Sequence, residues 1–220
     1  MKRFWGAMSA LLLLALTGCV QHQPYDYTAL KESNPTSILV LPAVNKSVDV
    51  KAAGSVISQV TYPLAESGYY VFPVAVVEET FRQNGAADAN DIRNISYKKL
   101  HDIFGADTAL YLDITQYGTQ YQIISSDTRV SASARLVDLR TGKQLWNGSA
   151  TASTAEQNSN SGGGIIGMLV SAAISQIADT IMERGHDIAG ITSNRLLRAG
   201  WDGQLLYGPR SEFYRKEKFN

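Results

Sequence analysis

The sequence predicts an α/β fold with α+β character. It is expected as a mixed sheet of about five strands, with an N-terminal βαβ unit followed by an antiparallel meander and a long C-terminal helix packed on the sheet. Three observations carry this. Two short apolar runs about 30 residues apart flank a segment of helical periodicity, which is the spacing of a βαβ unit. Further along, apolar and polar residues alternate with period two. Near the C-terminus runs an apolar stretch of helical period that is too long for a strand.

The first run, Ile38-Leu39-Val40-Leu41, is stopped by Pro42 and reads as a buried strand. Val50, Ala53, Ile57, Val60 and Leu64 then recur at spacings of three and four, marking one face of a helix. That helix ends near Gly68, and Pro63 in its last turn is expected to kink or shorten it. Tyr69-Tyr70-Val71-Phe72 is the second strand, closed by Pro73. Parallel pairing through a right-handed crossover is the default for such a pair. Residues 74–83 look helical and end at Asn84-Gly85. A polar connection with Asp88 and Asp91 leads to another helix, Ser96 to Phe104, stopped by Gly105.

Leu110, Leu112 and Ile114 alternate with Tyr111, Asp113 and Thr115, and Val130, Ala132, Ala134 and Leu136 alternate with Arg129, Ser131, Ser133 and Arg135. Both segments read as half-buried strands. The turn Arg140-Thr141-Gly142-Lys143 leads into a further strand through Leu145-Trp146-Asn147-Gly148. One face of this meander should be wet, with Asp113 on it. The small side chains Ala132 and Ala134 imply that something packs close to the other face. Residues 153–164 read as a flexible loop ending in Gly162-Gly163-Gly164.

The long helix is expected from Ile165 to Arg184. Ile166, Val170, Ala173, Ile174, Ile177 and Ile181 share one side, but Ile165, Met168 and Met182 lie opposite. A helix apolar on nearly all faces needs cover on more than one side. Burial between sheet and loop, a subunit interface, and membrane contact all answer that need. Ser171, Ser175, Gln176 and Asp179 make it a poor membrane span. Ile165, Met168, Leu169, Ile174 and Met182 are the candidate interface, and a homodimer would cover them.

The N-terminus bounds the rest. Met1-Lys2-Arg3 is positive, Ala7 to Leu16 is apolar and too short to span a bilayer, and Leu16-Thr17-Gly18-Cys19 follows. This pattern resembles the lipobox of bacterial lipoproteins. The resemblance implies a signal peptide over 1–18, lipid on Cys19, and, with Val20 rather than Asp next, delivery to the outer membrane facing the periplasm. Display at the cell surface is compatible with the same pattern. Residues 19–36 are polar, carry Pro24 and Pro35, and read as a lipidated tether. Residues 37–200 then form a single periplasmic α/β domain and 201–220 a C-terminal tail. Leu205, Leu206 and Tyr207 should pack on the domain, with the charged residues beyond them mobile.

Cys19 is the only cysteine, so lipidation leaves no thiol for a disulfide, a nucleophile or a metal. Loss of Lys2 and Arg3 from the 20 basic residues leaves 18 against 20 acidic ones, a net charge of −2. That disfavours nucleic acid as a partner. His22, His101 and His186 are far apart, and no metal-ligand spacing or nucleophile elbow is present. Asn147-Gly148-Ser149 matches a glycosylation sequon that means nothing in a bacterial envelope. No catalytic residue, metal or cofactor is expected, and the chain reads as a non-enzyme.

Three segments carry a family likeness: Pro63 to Pro73, Phe104-Gly105-Ala106-Asp107 into Leu110-Tyr111, and Arg135-Leu136-Val137-Asp138-Leu139-Arg140-Thr141-Gly142. Together they resemble the Gram-negative lipoprotein family termed domain of unknown function 799, over essentially the whole chain. The second and third segments are more distantly similar to periplasmic domains of the CsgG curli-secretion channel, the LpoB synthase activator and the N-terminal domain of TolB. The resemblance implies one mixed α/β sheet and work done through contacts with other envelope proteins, such as a CsgG-like lipoprotein. The chain lacks the membrane-facing hairpins of a pore. The expected role is a lipid-anchored envelope adaptor or assembly or secretion accessory. The alternative is a periplasmic module binding peptidoglycan or a small anion through the Gly-rich loop.

Overall fold

A computed structural model describes residues 24–121, 126–159 and 181–217. In chain order these form α1 (Thr28–Ser33), β1 (Ser37–Val40), β2 (Val44–Asn45), α2 (Ala52–Glu66), β3 (Tyr70–Val71), α3 (Val74–Gln83), α4 (Ala89–Arg93), α5 (Tyr97–Phe104), β4 (Thr108–Tyr121), β5 (Ser126–Asp138), β6 (Gln144–Ser153), α6 (Thr154–Ser159) and α7 (Ile181–Leu197). The sheet order is β3-β1-β4-β5-β6, and β2 lies beside the middle of β4, at Asp113 and Ile114. β1 pairs in parallel with β3 and β4, while β4, β5 and β6 run antiparallel. The expected mixed sheet is present with six strands rather than five. The extra strand, β2, is two residues long and offers no periodicity to read.

The alternation along the strands sorts side chains onto two apolar layers. On one face Ile38, Val40, Leu110, Leu112, Ala132, Ala134, Leu136 and Trp146 meet α2 and α7 through Val56, Val60, Leu64, Ile188, Ala189 and Leu197. The small residues of β5 admit α7 closely enough that the Thr192 hydroxyl donates to the Val130 carbonyl at 3.2 Å. On the other face Leu39, Leu41, Ala109, Tyr111 and Val137 are covered by Val77, Phe81, Ile92 and Leu100 of α3, α4 and α5. That second cover stops short of β6, so only part of the meander has a wet face.

The period of β4 breaks once. A bulge between Ile114 and Gln116 leaves Thr115 unpaired, so Gln116 joins Ser131 on the outer face and Tyr117 turns inward beside Val130. One extra residue flips every later side chain.

Two carboxylates lock the chain at the start of the sheet. Asp107 accepts from the backbone and hydroxyl of Thr36 at 2.9 and 2.7 Å, and from those of Ser37 at 3.2 and 3.1 Å. Asp138 accepts from the Ser33 hydroxyl at 2.6 Å, from the Arg140 backbone at 2.9 Å and from the Thr141 backbone at 3.0 Å, which shapes the turn before β6. Burial pushes both carboxyls up. The hydrogen bonds outweigh it, holding Asp107 below the usual carboxylate range and Asp138 at about 2.

Several expectations are corrected. The buried face of α2 is Ala52, Val56, Val60, Pro63 and Leu64, and Val50 is 88% exposed. The helix begins only after a turn in which the Asp49 carboxylate accepts from the Lys51 backbone. Pro63 neither stops nor shortens α2, which runs on to Glu66. The polar connection holds a helix, α4, capped by Asp88 through the Asn90 backbone N–H at 2.7 Å. Ser153 belongs to β6, and α6 replaces the first residues of the expected loop.

The C-terminal helix, expected to end at Arg184, is described from Ile181 and runs to Leu197. Gly185 lies within it because the Tyr117 ring packs where a Cβ would stand, its hydroxyl 2.9 Å from that point.

Both chain ends are also more integrated than expected. Within the supposed tether, Tyr27 and Leu30 are buried in the main core. Leu205 and Leu206 pack as expected, but the charged segment after them packs too. The Gly208 backbone donates to the Ser67 carbonyl at 2.7 Å, and that of Arg210 donates to Gly68 at 3.1 Å. Glu217 accepts from the Tyr207 backbone.

Candidate functional site

Where α3, α4 and α5 no longer cover the sheet, its outer face carries a cluster of charge. Asp113 on β4 accepts two bonds from Arg93 Nη1 at 3.0 and 3.1 Å and one from Arg93 Nη2 at 3.1 Å. Arg93 Nη2 also donates to the Leu112 carbonyl at 3.0 Å, and Lys46 Nζ stands 2.9 Å from Asp113 Oδ1. Asp113 was expected on the solvated face. It is partly buried, because α4 brings Arg93 over the middle of β4 and onto it. Burial raises its pKa, and the bonds from Arg93 and Lys46 lower it further than burial raises it.

Two register steps away on the same face, Tyr111 pairs with Arg135, whose guanidinium lies 4.0 Å from the Tyr111 ring centre. Tyr111 is buried under this cation. Its hydroxyl has no hydrogen-bond partner among the described residues, and burial pushes it up to about 12. The cluster thus sets the cations Lys46, Arg93 and Arg135 against one carboxylate. Beside it, a shallow trough of about 390 Å³ is lined by Asp113, Ser133, Arg135, Gln144, Asn147 and Ser149. The trough is polar, cationic at one end and built on paired strands, which suits recognition of a carboxylate or carbonyl-rich surface.

A second group joins three elements. Tyr117 donates to Ser55 Oγ at 2.8 Å, Ser55 Oγ lies 2.9 Å from His186 Nδ1, and His186 Nε2 lies 2.6 Å from the Gln59 amide. A serine on an imidazole is the pairing of a nucleophile with its base. In a hydrolytic triad a carboxylate orients the second ring nitrogen, and here Gln59 takes that place. The chain of bonds ties α2 to β4 and α7. Ser55 and His186 are 131 residues apart, and no spacing motif links them.

A model of the GNA1162-like lipoproteins matches residues 25–210. The chain belongs to the GNA1162-like lipoprotein family. The lipoprotein NMB1124/NMB1162 of Neisseria meningitidis serogroup B is 50% identical over 200 residues, which cover 90% of this chain and 92% of that one. The crystal structure of lipoprotein GNA1162 from Neisseria meningitidis is 55% identical, covers 66% of this chain and 100% of its own, and superposes with a TM-score of 0.55. The C-terminal domain of LpoB from Salmonella enterica matches at 16% identity and a TM-score of 0.38, over 58% of this chain and 98% of that one. Within the GNA1162-like match lie Asp107, Asp138 and the whole Asp113 cluster.

Of the residues singled out from the sequence, Cys19, Ile165, Met168, Leu169 and Ile174 lie outside the described residues, as do His22 and Gly162 to Gly164. Met182 falls in α7, and its side chain lies outside the description. Sequence reasoning missed Arg93 and Arg135 as a pair. The signal available was the alternation that puts Arg135 on the same sheet face as Asp113.

Proposed function

We propose that this GNA1162-like chain is an outer-membrane lipoprotein, anchored through lipid on Cys19, that works without catalysis as an envelope adaptor. The open face of the meander around Arg135 binds another envelope protein, with a CsgG-like lipoprotein as one candidate. A homodimer is part of the same reading, with Ile165, Met168, Leu169, Ile174 and Met182 as its candidate interface. The observation that carries the reading is the abrupt end of the α3–α5 cover. It leaves a rigid, hydrogen-bonded strand surface with one guanidinium stacked on a buried ring and, among the described residues, paired with no carboxylate. Preorganised surfaces of this kind lose little entropy on docking.

Affinity purification from gently solubilised membranes tests it. The native chain should bring down a defined partner, and Arg135→Glu, which reverses the charge at the trough, should lose that partner while remaining folded. A strictly solitary monomer ends the adaptor reading.

The trough itself favours a second reading, a module that binds peptidoglycan or a small anion. Saturable retention on isolated sacculi that Arg135→Glu abolishes, with no protein partner, would decide for it.

A further inference from the structure

Trp201 is 68% exposed, although tryptophan carries more apolar area than any other side chain. It sits between the end of α7 and Leu205, in a stretch bonded to the first described residues of the chain. The Tyr25 backbone donates to Asp202 Oδ1 at 3.2 Å, and the Tyr27 hydroxyl reaches the carbonyls of Gln204 at 2.7 Å and Trp201 at 3.5 Å. The indole of Trp146, fixed in the core, donates to the Gly203 carbonyl at 3.0 Å. Trp201 is therefore displayed by a stretch held from both sides.

Tyr25 follows Cys19 by only six residues, which span at most about 20 Å when fully extended. Among the described residues, the exposed side chains of Val48, Val50, Val76 and Ile103 stand on stretches with no hydrogen bond to residues 24–27, nearest the anchor. An indole, apolar in body and with one N–H to satisfy, is the side chain that collects at the level of lipid headgroups. A short tether also keeps the local concentration of membrane surface high, so a weak contact suffices.

We propose that the Trp201 corner rests on the membrane that holds the anchor, with the indole at headgroup level. This orients the domain, turning one fixed corner to the lipid rather than letting it tumble on its tether. The net charge of −2 gives no general attraction to anionic lipid, so the contact is aromatic and persists on zwitterionic vesicles. The inference rests on the lipidation of Cys19.

Trp146 and Trp201 are the only tryptophans beyond residue 18, which permits a direct test. The mature lipoprotein is reconstituted into phosphatidylcholine vesicles with plain or brominated acyl chains. A Trp201→Phe variant supplies the emission of Trp146 for subtraction. The Trp201 emission should shift to the blue relative to the same mature chain, residues 19–220, carrying Cys19→Ser in solution. It should lose most of its intensity in brominated vesicles, while Trp146 emission is unchanged.

Protein that floats with the vesicles but keeps a solvent-like Trp201 spectrum overturns the inference and leaves the anchor standing. A blue shift without bromine quenching also overturns it, because the indole then lies against protein. Protein that fails to float overturns the anchor, and the inference with it.

Discussion

The indole of Trp146 lies across Gly148, so that a Cβ on Gly148 would stand 2.5 Å from Trp146 Cζ2. Both residues are on the inner face of β6, two apart, and the missing side chain is what lets the ring lie flat along the strand. Gly148→Ala therefore forces the indole out of a packed core, at a cost of about 1–3 kcal/mol. At this size each kcal/mol is worth about 2–4 °C in Tm. Gly54, exposed on α2 with nothing within 4 Å of its Cβ position, is the control. Gly54→Ala should stabilise by about 0.5–1 kcal/mol. Thermal unfolding of the two variants should move in opposite directions.

Asp138 makes the fold acid-sensitive. Its carboxyl is held at about 2, below its value in an unfolded chain of about 3.9. A depressed pKa gives stability that is complete above the unfolded value and is lost as pH falls through the folded one. The loss should therefore develop between about pH 4 and about pH 2. Asp107 and Asp113 are shifted in the same direction. Asp138→Asn should lower the urea midpoint at neutral pH and flatten its decline in that window. Equal slopes in native and variant would rule out Asp138 as a source.

The Arg93 fork on Asp113 couples α4 to β4. Asp113→Ala strands the guanidinium over a sheet it was positioned to neutralise, costing about 1–3 kcal/mol. Arg93→Lys keeps the charge and loses the bidentate geometry, so it should not restore native stability. A double-mutant cycle between Arg93 and Asp113, read by urea denaturation, should give a coupling of about 0.5–3 kcal/mol. A coupling near zero would mean that Lys46 alone satisfies Asp113.

The layered order of the fold was legible because apolar runs closed by prolines mark β1 and β3, because a helical period runs between them, and because β4 and β5 alternate over long stretches. What failed has identifiable causes. Thr115 is an unpaired bulge residue in an otherwise regular strand, so the inward turn of Tyr117 could not be read from period two. Asp113 looked solvated because its cover, α4, is five residues long and too short to show a period. Pro24 and Pro35 made residues 20–36 look like linker, although Tyr27 and Leu30 supply two of the buried side chains of the core. The likeness segments around Gly105-Ala106-Asp107 and Asp138 to Gly142 mark architecture. Their carboxylates fasten β1 and the turn before β6, whereas the candidate site lies on the neighbouring sheet face.

The last ten or so described residues hold to the domain through two glycines set back to back. A Cβ on Gly208 would lie 2.6 Å from the Gly68 carbonyl oxygen, and one on Gly68 would lie 2.5 Å from the Ser211 nitrogen. Gly68 also has φ +91, so it is constrained twice, by conformation and by the neighbouring strand of chain. Gly208→Ala meets only the close approach and is the cleaner probe. It should break the bond from the Gly208 backbone to the Ser67 carbonyl and release the segment after Leu206. Tyr69, whose hydroxyl donates to the Leu206 carbonyl at 2.8 Å, would then open to solvent. Limited proteolysis should cut the variant between Tyr207 and Lys216, where the native chain resists, at a protease level that leaves the sheet intact. Equal resistance in both would mean that the Tyr207–Phe213 ring contact and the Glu217 bond hold the segment without the glycine pair.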